Sequence, residues 1–137
     1  MIDPLGALLT EIRDNPGVAA LTTRVRGGEP APGDAATPFR RFVVLTRLGA
    51  TRERRAPVQA VRIGLRCYGS THQDAAALYG AVSDAIHNVG PRIGASGVLI
   101  HRSFDDVGTG AETYPDTGQP HEDGVISVFA ASGLVTP

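Results

Sequence analysis

Residues 58–89, VQAVRIGLRCYGSTHQDAAALYGAVSDAIHNV, contain a strand, a tight turn and a helix in one uninterrupted run. In the first third of this stretch every second residue is apolar, namely Val61, Ile63, Leu65 and Cys67. Arginine or glycine occupies the positions between them. A period of two predicts a strand with one buried face and one open face.

The period changes after Tyr68-Gly69-Ser70. Apolar residues then recur at steps of three and four, which places them along one side of a helix: Ala75, Leu78, Tyr79, Val82, Ile86 and Val89. Thr71 and Asp74 have the spacing of a capping box, so they predict where this helix begins. We expect the helix to pack across the apolar face of the preceding strand.

The bulk composition is that of a globular domain. The chain has 137 residues, of which 42% are hydrophobic and 20% charged, and we interpret residues 1–137 as a single domain. Its single cysteine, Cys67, falls on the predicted core face, where an inert thiol is expected. No apolar run approaches the roughly 20 residues that span a bilayer, and no signal peptide is evident. These features predict a protein that folds in a reducing cytoplasm.

The remaining elements follow outward from the central strand and helix. We predict a first helix from Asp3-Pro4 to Asn15, further strands at 22–26, 39–48, 98–106 and 124–135, and long loops at 27–38 and 108–123. This order predicts an α+β fold, with a mainly antiparallel sheet of about four or five strands and two helices packed on one face. The last strand is apolar on both faces, which predicts a central position in the sheet.

The sheet face without helices is expected to be partly apolar. By our predicted registers it carries Val43, Leu45, Arg62, Arg66, Leu99 and His101. A partly apolar face of this kind is typical of a surface that meets another protein.

Charge is unevenly distributed, although the formal net charge is only -1. Every basic residue is arginine, and the middle of the chain is rich in it. No arginine follows Arg102, whereas six acidic residues do: Asp105, Asp106, Glu112, Asp116, Glu122 and Asp123. The chain thus has a basic middle and an acidic end.

The arginine-rich segment has three interpretations. It could be an ordinary solvated hairpin, or it could bind nucleic acid, although it lacks interleaved aromatic residues and any recognition motif. We favour a third, in which it docks head to tail on the acidic part of an identical subunit and closes a ring. The residues expected at this subunit interface are Arg40, Arg41, Arg47, Arg52, Arg54, Arg55, Arg62, Arg66, Asp105, Asp106, Glu112 and Asp116.

A catalytic role finds no support in the sequence. It contains no nucleophile elbow, phosphate-binding loop or zinc-ligand spacing, so we expect no catalytic residues, no cofactor and no metal. A cation site is the alternative at one place, where His101, Asp105, Asp106, His121, Glu122 and Asp123 could meet. We interpret those residues as a solvated acidic surface instead.

Several stretches resemble the tail terminator (tail completion) proteins of long-tailed phages. The similarity runs over residues 3–90 and is carried by Thr37-Pro38-Phe39 before a strand, by Val61-Arg62-Ile63-Gly64-Leu65-Arg66-Cys67-Tyr68-Gly69, by Asp74-Ala75-Ala76-Ala77-Leu78 and by Asp84-Ala85-Ile86-His87. The fold that this resemblance implies agrees with the α+β sandwich predicted above.

The function that the resemblance implies is structural. Such a protein forms a hexameric ring that caps the tail tube, ends its polymerisation and offers an attachment surface to the head connector. The implied partners are other copies of the chain, the tail tube protein and neck proteins, with no membrane and no sequence-specific nucleic acid, although DNA could pass through the ring. The implied location is the head-proximal end of the virion tail, after assembly in the host cytoplasm. Two alternatives remain: another neck or head–tail connector component, and a small ligand-binding or enzymatic α+β domain.

Overall fold

The computed structural model describes residues 4–28, 40–52, 58–87, 89–94, 98–113 and 119–132. The elements, in chain order, are helices and strands with the following bounds: α1 (Pro4–Asp14), α2 (Pro16–Ala19), β1 (Val25–Gly27), β2 (Phe42–Arg52), β3 (Val58–Tyr68), α3 (His72–Ile86), β4 (Arg92–Ile93), β5 (Val98–Thr113) and β6 (Pro120–Ser132).

The six strands form one sheet in the order β1-β2-β3-β6-β5-β4. Only β1 and β2 pair in parallel, and every other neighbouring pair is antiparallel. The predicted α+β class and mainly antiparallel sheet are therefore confirmed. β1 overlaps the strand expected at 22–26, whereas β4 was not predicted and brings the number of strands to six. A strand of two residues is too brief to show a period of two in sequence.

The core lies between one face of the sheet and helices α1 and α3. The alternate residues of β3 that were expected to be buried are buried, and they join buried residues of the helices: Val61, Ile63, Leu65, Cys67, Ala7, Leu8, Ile12, Leu78, Val82 and Ile86. β6 lies between β3 and β5, as its two apolar faces predicted.

The turn from β3 into α3 is set by local chemistry. The Thr71 hydroxyl accepts a hydrogen bond from the N–H of Asp74 at 3.0 Å, as the capping spacing predicted. A Cβ at Gly69 would lie 2.5 Å from the backbone nitrogen of Ala75, so the strand can approach the helix this closely only at a glycine. The helix ends at Ile86, earlier than predicted, and Val89 instead bridges to Ser103 on β5.

The face assignment of β2 was wrong. Val43 pairs with Cys67, and Leu45 pairs with Leu65, so both point into the core and not to the helix-free face. Residues directly opposite in an antiparallel pair share a face. β2 is apolar on both sides near its start, so alternation alone could not decide which side faces the helices.

The predicted loop at 108–123 was also wrong. Residues 108–113 belong to β5 and residues 120–123 belong to β6, and the two strands form a long hairpin. β5 has register shifts between Ile100 and Arg102, between Asp105 and Val107, and between Gly108 and Gly110. Each bulge breaks the period of two, which hid the extension of β5 beyond residue 106. Of the loop predicted at 27–38, Gly27 ends β1, Gly28 follows with φ +84°, and residues 29–39 lie outside the described part.

Candidate interaction surface

The sheet face opposite the helices, here called the open face, carries exposed apolar side chains. Among the described residues, three large hydrophobic side chains are more than a third exposed: Leu48 at 57%, Ile93 at 67% and Phe129 at 38%. Monomeric proteins normally bury such side chains or scatter them singly. Their gathering on one face indicates a surface that meets another molecule.

The strand registers place all three on the open face. Phe129 lies between the buried residues Val128 and Ala130, so it points away from the core. Ile93 pairs with Leu99, which lies between the buried residues Val98 and Ile100. Leu99 and Ile93 therefore also point away from the core.

Leu48 reaches the same face through a bulge in β2 between Arg47 and Gly49. Its side chain leans towards Gly64, where a Cβ would lie 3.4 Å from the Leu48 side chain. Gly64 alternates with the core residues Ile63 and Leu65, so Leu48 also lies on the open face.

An arginine and two phenylalanines form one contiguous group on this face. The rings of Phe104 and Phe129 meet edge to face with centroids 6.3 Å apart. The guanidinium of Arg102 lies 5.7 Å from the Phe104 centroid, which is cation–π distance. The group therefore combines an apolar surface with a positive charge.

Beside this group the open face forms a shallow groove of about 480 Å³ with an ion pair at its wall. Arg66 donates two hydrogen bonds to Asp123, both 3.1 Å long. Burial alone would lower the pKa of Arg66, but the hydrogen bonds with Asp123 and Tyr68 outweigh it and raise that pKa. His121 Nδ1 also lies 2.6 Å from the Asp123 carboxylate. Asp123 is thus already engaged within the molecule.

At one end of the open face the side chains are buried. Phe42 and Tyr68 stack with centroids 4.0 Å apart, and His121 lies tilted against Tyr68. All three are almost completely buried. The accessible part of the open face is therefore the region around Leu48, Arg62, Phe129 and Ile93.

The arginines expected at a subunit interface have different environments. Arg40, Arg47 and Arg62 are exposed, whereas Arg41 donates to Asp74 at 2.8 Å and Arg66 is paired with Asp123. Residues 53–57 and 114–118, with Arg54, Arg55 and Asp116, lie outside the described residues, as do the side chains of Arg52, Asp106 and Glu112. The interface role of the whole set stays a prediction.

Asp105 lies on the helix side of the sheet and is bonded to α3. Its two carboxylate oxygens accept hydrogen bonds from the Tyr79 hydroxyl at 2.6 Å and the Ser83 hydroxyl at 2.8 Å. Burial and then the bond to Asp105 raise the pKa of Tyr79. His87 Nδ1 accepts a hydrogen bond from the N–H of Asp105 at 3.0 Å, which joins the end of α3 to β5.

A second network was not predicted from the sequence, because its members are far apart in the chain. Arg92 donates to Glu11 at 2.8 Å and to the Ser103 hydroxyl at 2.8 Å. Ser103, which is buried, donates in turn to the carbonyl of Ile86. The network joins α1, the end of α3, β4 and β5, and it supports the strands that carry Ile93 and Arg102.

Within the described part of the chain, no group of three or more His, Cys, Asp or Glu side chains is placed to hold a metal ion. Cys67 is buried, and burial raises the pKa of its thiol well above the ordinary value. A membrane-spanning helix is likewise not found among the helices described here.

Comparison with known proteins identifies the fold. No protein-family model matches the chain, and no curated protein matches it. The chain is similar to one chain of a solved structure described as the virion of a native gene transfer agent (GTA) particle, with a TM-score of 0.71 and 16% sequence identity. The similarity covers 93% of this chain and 94% of that chain. The two chains therefore share a fold over nearly their whole lengths.

Proposed function

We propose that the protein is a non-enzymatic structural component of a virion, and specifically a tail terminator of a long-tailed phage. The observation that carries the proposal is the sheet covered by helices on one face only, with Leu48, Ile93 and Phe129 exposed on the other. The fold shared with a chain of a virion particle supports the coarser assignment. The resemblance of residues 3–90 to tail terminators supports the finer one.

The proposed mechanism is steric and cooperative. The end of a growing tube presents subunit surface that the next ring of tube protein would cover. A terminator ring that covers this surface with complementary shape stops further addition. Each contact can be weak, because repetition around a closed ring makes the combined attachment strong. The opposite side of the ring would then offer an attachment surface to the head connector.

We assign the ring contact to the arginine-rich β2–β3 hairpin, with Arg52, Arg54 and Arg55, and to the acidic β5–β6 hairpin of the next subunit. Opposite charges on two different surfaces of one chain favour head-to-tail contacts over two-fold contacts. Asp106, Glu112 and Asp116 are the proposed acidic partners. Asp105 is left out because both of its carboxylate oxygens accept hydrogen bonds inside the subunit.

The function is tested by mass measurement and co-sedimentation. The purified protein should form a closed oligomer at low salt, and the oligomer should sediment with tail tubes purified from the virus that encodes it. Empty heads from the same virus form the second arm. Binding to heads alone would identify another neck or connector component, which the shared virion fold also fits. A protein that stays monomeric and binds neither particle would contradict both assignments.

The ring contact makes a specific prediction. The variant Arg54→Glu/Arg55→Glu should fold normally but fail to form rings, because like charges would then face each other across the subunit contact. Light scattering measures the loss. Adding Glu112→Arg and Asp116→Arg to the same chain reverses the sign of charge on both sides of the subunit contact and should restore the ring. Rings that persist in the first variant would refute this pairing.

A further inference from the structure

The accessible part of the open face carries positive charge as well as apolar surface. Arg62 is exposed on β3, opposite Ser127 of β6, and Arg102 is exposed on β5, directly opposite Phe129 of β6. Among the residues that the structure describes, neither of these arginines pairs with a carboxylate, and Arg102 contacts the Phe104 ring instead. We call Leu48, Arg62, Arg102, Phe129 and Ile93 the basic apolar band.

The band itself contains no carboxylate that could pair with its two arginines. Asp123 is the one carboxylate that the described side chains place on the open face, and it is held by Arg66 and His121. A molecule that covers the band must therefore bring the carboxylates that Arg62 and Arg102 require.

The described residues of a second copy do not supply this complement. Face-to-face stacking of two copies would bring the arginines of both bands into one interface, which like-charge repulsion disfavours. A head-to-tail contact would need an apolar surface elsewhere on the molecule, yet the described residues expose large apolar side chains on the open face only.

Nucleic acid is also a poor match for the band. Phosphates would satisfy the arginines, but Leu48, Ile93 and Phe129 present apolar surface of 38–67% relative exposure that a phosphate backbone cannot cover. A protein surface with apolar side chains bordered by Asp or Glu satisfies both features.

We infer that the basic apolar band is the docking surface for a different virion protein, whose contact surface is apolar and bordered by carboxylates. The inference rests on the proposed function, since it takes the chain to be part of a virion. It separates two surfaces of the subunit: the charged hairpins make the ring, and the open face binds the protein that the ring attaches to. Tail tube and head connector are the two candidates that the experiment distinguishes.

The experiment is hydroxyl-radical footprinting of the unmodified full chain, read by mass spectrometry at Leu48, Ile93 and Phe129. It compares the assembled protein alone with the same protein after addition of tail tubes, empty heads or a duplex DNA fragment. We expect oxidation of the three side chains to fall when tubes or heads are added, and the arm that protects them identifies the partner. Side chains that are already unreactive in the assembled protein alone, or that DNA protects, would overturn the inference.

A matched pair of variants measures the charge requirement. Arg102→Glu should weaken binding to the protecting particle by roughly tenfold while the oligomer mass stays unchanged. Arg13→Glu makes the same change on an exposed residue of α1 and should leave binding unchanged. The inference is contradicted if the protein binds a particle without protection of the band, or if both variants bind equally well. Neither result contradicts the proposed function. Failure of the unmodified protein to bind either particle contradicts the function and the inference together.

Discussion

Among single residues, Gly124 has a clear packing requirement. It lies buried on the core side of β6, and the Tyr79 hydroxyl occupies the position that a side chain there would take. That hydroxyl is held in place by its short hydrogen bond to Asp105. Since Tyr79 cannot move away without losing this bond, the strand requires a residue with no Cβ at this point.

We expect Gly124→Ala to lower the free energy of unfolding by about 1–3 kcal/mol, because the added methyl group displaces the Tyr79 ring. Urea unfolding followed by circular dichroism measures the change. Gly80→Ala is the matched control, since nothing lies within 4 Å of a Cβ built at Gly80 in the middle of α3. That control should raise stability by about 0.5–1 kcal/mol. Equal effects of the two substitutions would refute the packing argument.

At the scale of elements, features that are set by neighbouring residues were predicted well from the sequence. Features that are set by contacts with distant parts of the chain were not. The period of two in β3 and the Thr71 cap of α3 depend on neighbouring residues, and both are confirmed. The face of β2 depends on which side the helices cover, and the extent of β5 depends on bulges set by pairing with β6. The bond between Arg92 and Glu11 joins residues 81 positions apart, which no local pattern could indicate.

The same limit applies to the candidate site. A partly apolar face opposite the helices was predicted, and the positions of Arg62 and Arg66 on it are confirmed by the register. The exposed residues Ile93 and Phe129 were not singled out, because β4 is too short to be recognised and β6 is apolar on both sides. Which side of β6 reaches solvent depends on the helix packing, not on the strand itself.

The start of α3 gives a prediction about pH. Burial acts to raise the pKa of Asp74, but hydrogen bonds from the Ser70 N–H and the Arg41 guanidinium outweigh it and lower that pKa below the ordinary 3.8. A carboxylate with a lowered pKa contributes stability that is fully present above its ordinary value and is lost as the pH falls through the folded-state value. Asp74→Asn should therefore cost about 1 kcal/mol at pH 7 and progressively less below pH 3.8.

Urea unfolding of both proteins at pH 7 and at stepwise lower pH checks this dependence. Asp84→Asn, on an exposed position of the same helix, serves as the control and should have little effect at any pH. A cost of Asp74→Asn that stays constant down to the lowest pH would show that the charge of Asp74 does not stabilise the helix start.

At the scale of the whole molecule, the sheet is covered on one side and meets solvent over much of the other. Assembly would therefore complete the burial that folding of one subunit leaves unfinished. Any partner that binds only the folded chain stabilises it by mass action. The proposed ring thus links the stability of each subunit to the concentration of protein.

We accordingly expect the thermal midpoint at low salt to rise with protein concentration, because subunit association draws the folding equilibrium towards the native state. Differential scanning calorimetry over a wide concentration range measures the slope. The Arg54→Glu/Arg55→Glu variant should show a midpoint that does not depend on concentration. A concentration-independent midpoint in the unmodified protein would indicate that subunits do not associate in this range.

The burial of Cys67 has a practical consequence for spectroscopy. The chain contains a single thiol and no lysine, and that thiol is shielded from solvent, with a pKa that keeps it protonated at neutral pH. Reagents that target thiols should therefore pass over the native protein and modify only a cysteine introduced at the surface. One spin label or fluorophore can then be attached at a chosen exposed position of the sheet or helices without first removing a native cysteine.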